Sequence, residues 1–233
     1  MPLRLLDHRF FQRSIRTRLP FKFGVQVLEE VPLAQLEIRV ETPDGRQEIG
    51  RAGDLLVPKW FEKNPDTTPS EDSAALADSV KAAVELGDQL TATAGPHPVF
   101  DITEVLRIER VGHRDHRNAD VLVRGFGVAM VERALIDAAC RIAGTSFDQA
   151  IRSDLLGFTA RRLLPEVDEW SPAMLPSRRD RLPVRHTIGM LDPLTEEDVS
   201  PGERVDDGLP QTLAEDVRRC ELIDQPLGLL ARV

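Results

Sequence analysis

Residues 33–41, LAQLEIRVE, set Ala34, Leu36, Ile38 and Val40 against Gln35, Glu37 and Arg39. A period of two sends alternate side chains to opposite faces of a strand, so this segment reads as a strand with one buried face. The next residues, 43-PDG-45, carry turn chemistry: proline presets its backbone angle and glycine tolerates positive φ. The chain resumes as 46-RQEIGRA-52, a return strand, and residues 3–16 read as a strand that precedes both. Together they predict a three-stranded antiparallel sheet.

Helical patterns follow. Thr68-Pro69-Ser70 with Glu71 and Asp72 places a capping hydroxyl before acids that suit a helix N-terminus. Ala74, Leu76, Ala77, Val80, Ala83, Val84 and Leu90 continue as an apolar stripe, which Gly95-Pro96 and Pro98 close. A second helix is expected over about 100–111, with Ile102, Val105, Leu106 and Ile108 facing inward. In 127-GVAMVERALIDAACRIAG-144, Val128, Val131, Leu135, Ala138 and Ile142 recur at helical spacing and Gly144 supplies a stop. Residues 147–156 read as a short fourth helix.

After Leu164 the character changes. The stretch 165-PEVDEWSPAMLPSRRDRLP-183 carries four prolines and many charges and reads as a connector. The run 184-VRHTIGML-191 favours a strand, 192–210 reads as loop, and the segment from Gln211 to Ile223 has a helical pattern. The expected organisation is an α+β domain over 1–164, a connector over 165–183 and a final segment over 184–233.

Composition bounds the function classes. The 233 residues are 41% hydrophobic and 30% charged, an ordinary globular mix, with a formal charge of -9. That balance argues against nucleic acid, whose recognition needs clustered Lys and Arg. Cys140 and Cys220 have neither metal-ligand spacing nor a disulfide framework, and Cys140 reads as a small buried hydrophobe. No apolar run approaches the ~20 residues of a membrane span, and the N-terminus lacks a signal-peptide core. A cytoplasmic protein without a membrane partner is expected. There is no Gly-rich phosphate loop, nucleophile elbow or zinc motif.

Five segments, in this order, carry a resemblance: 19-LPFKFG-24, 53-GDLLVPKWFEKNP-65, 132-ERALIDAACRIAG-144, 185-RHTIGMLDPL-194 and 207-DGLPQTL-213. The chain resembles the enolase superfamily, in its mandelate racemase and muconate-lactonizing branch, over roughly residues 10–222. The resemblance implies an N-terminal α+β domain that caps a modified TIM barrel. It implies two loops over the barrel mouth, around Leu19–Val25 and Gly53–Asn64. It implies a small carboxylate substrate, Mg²⁺ held by three carboxylates on successive barrel strands, and Lys or His bases that remove the proton alpha to the carboxylate. Metal stabilisation of the enediolate is what makes so weak an acid reactive.

By the same resemblance, 184–191 corresponds to the first barrel strand and 211–223 to the first barrel helix. No Lys follows Lys81 and no acid follows Asp224, so no catalytic residue or metal ligand is assigned within the chain. A barrel needs about 200–250 residues, and roughly fifty follow the connector. The expectation is therefore a capping and barrel-start portion, from a truncated, frame-shifted or split reading frame, inactive in isolation. A homo-oligomer or a partner chain supplying the barrel fits the same picture, as does a non-catalytic interaction module.

The candidate substrate-facing residues are Lys59, Trp60 and Lys63 in the second loop, with Phe21 and Lys22 (beside Phe23) on the opposite lip. Bulk excludes water and positive charge suits an anion. The bland alternatives are a loop whose Trp packs back on its own domain, and aromatics that anchor a strand end. His186 on the expected barrel strand is a further candidate; a structural hydrogen bond is its bland reading. His113, Asp115 and His116 are interleaved with Arg114 and Arg117 and read as a solvated charge cluster. Arg133 and Asp137, four apart on the third helix, are expected to pair.

Overall fold

The computed structural model describes residues 1–24, 26–112, 121–167, 169–177 and 189–223. The chain forms two compact units: Met1–Ile15 with Val31–Arg179, and Arg16–Glu30 with Asp180–Val233. This division differs from boundaries at 164 and 183, because residues 16–30 group with the C-terminal segment and the start of the connector groups with the first unit.

Strands β1 (Pro2–Phe23), β2 (Gln26–Glu41), β3 (Gln47–Leu55) and β4 (His97–Pro98) form one sheet in the order β3-β2-β1-β4. Strand β3 pairs antiparallel with β2, with Leu36 opposite Ala52 and Ile38 opposite Gly50. The turn between them is the one the sequence asks for. Thr42 accepts from the Gly45 amide at 2.9 Å, Gly45 sits at φ 83°, and the Thr42 hydroxyl bonds the Asp44 carboxylate.

The sheet has four strands where the sequence predicts three. The added strand β4 is two residues long, with Leu3 opposite His97, too short to leave a periodic pattern. Strand β1 also runs to Phe23, through the stretch expected as a loop at Leu19–Val25. Residues 16–20 alternate between exposed and half-buried rather than polar and core. Their strand conformation is held by pairing to β2 and leaves little hydrophobic pattern to read.

Among the described residues the α-helices of the first unit are α1 (Pro69–Ala94), α2 (Val99–Val111), α3 (Val121–Ala143) and α4 (Phe147–Arg152). Helix α1 begins with a capping box, in which the Glu71 amide donates to the Thr68 hydroxyl and the Thr68 amide to the Glu71 carboxylate. The buried face of the sheet (Ala34, Leu36, Ile38, Val40) and the inward stripes of α1 (Leu76, Val80, Val84) and α3 (Val131, Leu135, Ala138) share one core. Glycine sets the closest approach: a Cβ at Gly50 would lie 1.9 Å from the Ala134 carbonyl oxygen, so α3 sits directly on β3. Helix α4 ends at Arg152, short of the expected 156, in turns that include Asp154 at φ 52°.

The Arg133–Asp137 pair does not form. Arg133 reaches Asp54 on β3 at 2.8 Å, and Asp137 binds Arg141 at 2.8 Å and the Arg51 amide at 2.9 Å. The sheet beneath α3 offers each a partner that helical spacing alone does not reveal. Cys140 is half-buried rather than fully buried, and burial, followed by nearby Asp137, pushes its thiol upward.

In the second unit, Arg18 is the tie between the tip of the β1–β2 hairpin and the loop before the last helix. It donates from Nε and Nη2 to the Asp207 carboxylate at 2.5 and 2.8 Å, and to the carbonyls of Pro210 and Leu209 at 2.8 and 3.0 Å. Helix α5 (Leu213–Ile223) follows, its first turn capped by Glu215 accepting from the Gln211 and Thr212 amides. Of the expected strand 184–191, residues 184–188 lie outside the described residues, and 189–191 are not in a strand. The cluster at 113–118 also lies outside them.

Candidate functional site

The loop between β3 and α1 is pinned at both ends. Leu56 is buried and its amide donates to the Pro32 carbonyl at 2.9 Å, while the Ser73 hydroxyl on α1 donates to the Leu56 carbonyl at 2.9 Å. Prolines 58 and 65 keep the intervening chain out of helix and strand.

Lys59 organises the loop. It is one of two described non-glycine residues at positive φ, at 58°. Its ammonium lies 2.7 Å from the Asn64 carbonyl, 2.6 and 2.7 Å from the carbonyl and hydroxyl oxygens of Thr67, and 3.1 Å from the Asp72 carboxylate. Asp72 answers from α1: Oδ2 also accepts the Lys59 amide at 3.2 Å and Oδ1 accepts the Thr67 hydroxyl at 2.6 Å. The Asp72 side chain is 2% exposed. Burial pushes its carboxyl up, but the hydrogen bonds from Thr67 and from the Lys59 side chain and amide outweigh that, and the group lies below its ordinary range.

The next two residues diverge. Trp60 is 54% exposed, whereas Phe61 is half-buried with its ring edge-on to Phe126 of α3, centroids 5.2 Å apart. Lys63 is exposed. The loop thus combines an internally bonded base, one inward aromatic and an outward indole with a lysine three residues on.

Phe21 and Lys22 occupy the end of β1 in the second unit. The Phe21 and Phe23 rings lie 6.1 Å apart, tilted by 33°, and the Lys22 carbonyl accepts from the Met190 amide at 3.2 Å. Nearby, Leu19, Pro20, Met190, Leu191 and Asp192 line a cleft of about 540 Å³. The Asp192 carboxylate is spent on the Gly189 amide at 2.6 Å. Lys59, Trp60 and Lys63 therefore share one loop of the first unit, and Phe21 and Lys22 share one strand end of the second. His186 lies outside the described residues.

Asp72 is the residue that sequence reasoning missed. Its place in the first turn reads as a dipole-complementing acid. The available signal is spacing: Asp72, Leu76 and Ser79 fall on one side of α1, so the acid faces inward and needs partners.

Among the described residues there is no group of three or more His, Cys, Asp or Glu that could hold a metal ion. The described residues therefore do not fit a Mg²⁺ site, and no step assigned to this chain runs through one. No helix among them is long and apolar enough to cross a membrane.

No family model matches the sequence, and no curated protein is significantly similar to it. Several solved structures are similar to part of the chain, two of them as follows. One is an enolase from the alpha-proteobacterial isolate bal199 with bound Mg: 18% identity, TM-score 0.41, covering 63% of this chain and 34% of that one. The other is an enolase from Bradyrhizobium complexed with magnesium and mandelic acid: 13% identity, TM-score 0.43, covering 64% of this chain and 34% of that one. The chain spans about a third of the length of each.

Proposed function

We propose that this chain is the capping and specificity portion of an enolase-superfamily-like, Mg²⁺-dependent enzyme that abstracts a proton alpha to a carboxylate. The reaction class is a racemase, dehydratase or cycloisomerase. The observation that carries the reading is the loop between β3 and α1, which is fixed by its own hydrogen bonds yet leaves Trp60 outward and Lys63 exposed. A fixed loop holding out bulk and positive charge suits the exclusion of water and the attraction of an anion. The order of segments quoted for the family resemblance supports it.

In this reading Trp60 and Lys63 face the substrate, while Phe21 and Lys22 keep only the substrate-facing role that the family resemblance implies for their own segment. Lys59 shapes the loop instead, since its ammonium is bonded within it. Residues 184–191 and α5 correspond to the first strand and helix of the barrel, with His186 on that strand. Proton abstraction and metal binding belong to barrel residues that the resemblance places on a Lys-x-Lys strand and its successors, a motif absent after Lys81. The chain alone is then expected not to turn substrate over.

The test uses the full chain with Mg²⁺ and mandelate in D₂O. The expected result is no exchange of the alpha proton, with amide shift changes over residues 57–66. Exchange of that proton, or no shift changes over 57–66, contradicts the proposal.

A second reading, a non-catalytic interaction module, is favoured by the exposed Leu164, Val167, Trp170 and Met174 after α4. It predicts self-association or a stable partner complex through that segment. Sedimentation of the chain with Met174→Glu and Leu164→Glu, unchanged from a wild-type monomer, counts against it.

A further inference from the structure

We infer that Lys59 and Asp72 form a latch that fixes the loop over residues 57–67 in one conformation, turning Trp60 outward while Phe61 stays in. The inference rests on the proposed substrate-facing role of this loop for its purpose but on geometry for its existence.

Three observations converge. First, a lysine at φ 58° adopts a backbone conformation that side chains disfavour, and such a conformation persists only where its surroundings hold it. Second, the holding groups come from both ends of the loop. The Lys59 ammonium gathers Asn64 and Thr67 from the far arm, and Asp72 from α1 binds the Lys59 amide, its ammonium and the Thr67 hydroxyl. A single buried carboxylate therefore closes the ring. Third, the left-handed turn sits immediately before the residues that diverge, the exposed Trp60 and the Phe61 packed on Phe126. Release of the latch frees the backbone at the point that decides which aromatic faces out.

Asp72 sits on the same face of α1 as Leu76, which is buried in the core. The latch is thus anchored to the rigid part of the unit, and the loop can loosen without α1 unfolding. Lys59 and Asp72 are positioning residues: they act on substrate through Trp60.

The experiment uses the full chain carrying Trp170→Phe, which leaves Trp60 as the sole tryptophan. Lys59→Met, Asp72→Asn and the double variant are compared by amide hydrogen exchange and by acrylamide quenching of Trp60. Circular dichroism checks folding. Each single variant is expected to speed exchange over 57–67 by ~10-fold or more and to change Trp60 quenching, while the double variant does no more than either single change. Exchange inside α1 and α3 stays at the wild-type rate. Unchanged exchange over 57–67 in the single variants, or additive effects in the double, overturns the latch. If Asp72→Asn fails to fold, Lys59→Met, which leaves α1 untouched, decides the question. No ligand enters this test, so failure of the latch and failure of mandelate to reach Trp60 are separate results.

Discussion

The Ser79 hydroxyl accepts the Gly127 amide at 3.1 Å, and a Cβ at position 127 would lie 2.2 Å from the Ser79 carbonyl oxygen. Helices α1 and α3 therefore cross with backbone almost against backbone. The same hydroxyl donates to the Val123 carbonyl at 2.7 Å, so the crossing is bonded as well as packed.

Gly127→Ala forces these helices apart, because the obstacle is backbone and cannot rotate away. Overpacking of this kind costs about 3 kcal/mol, at the upper end of the usual range. Urea unfolding should show the midpoint falling with little change in slope. Ser79→Ala should cost less, since it removes bonds without inserting volume.

Thr68→Ala removes the hydroxyl that caps α1 and should cost about 1 kcal/mol. The same change leaves the Glu71 carboxylate with the Thr68 amide as its remaining capping donor. Chemical denaturation of Thr68→Ala and Thr68→Ser gives the check: serine should restore most of the loss, because it keeps the acceptor.

The Arg18–Asp207 contact sets a pH dependence in the second unit. The Arg18 guanidinium, through its hydrogen bonds, holds the Asp207 carboxyl down at about 2, from an ordinary 3.8. A carboxylate with a depressed folded pKa contributes in full above its unfolded value, and the contribution is lost as pH falls through the folded one. The contact should therefore be intact at neutral pH and persist below the usual carboxylate range. It should fail as pH approaches about 2. The Arg18 Nε–H resonance followed by NMR tests this, and Asp207→Asn should abolish the transition.

Much of the fold was legible because its signals are local. The alternation of 33–41 gave β2, Thr68 and Glu71 gave the start of α1, and the apolar stripe after Gly127 gave the body of α3. What escaped depends on partners distant in sequence. The end of β1 is a strand through pairing rather than burial. The partner of Arg133 and one of the two partners of Asp137 come from β3, and β4 is two residues long. At the candidate site, composition identified the loop and its bulky and basic residues. It did not separate Lys59, whose ammonium is bonded within the loop, from exposed Lys63, because that difference is made by Asp72 on the next helix.

The claim that Trp60 and Lys63 meet a carboxylate is tested most directly at the Trp60 indole N–H. Its NMR shift should be followed while the full chain is titrated separately with mandelate and with mandelamide, its uncharged counterpart. A saturable shift with mandelate, much reduced with mandelamide and weakened in Lys63→Ala, is the predicted result. Equal shifts with the two compounds, or none with either, would contradict the account.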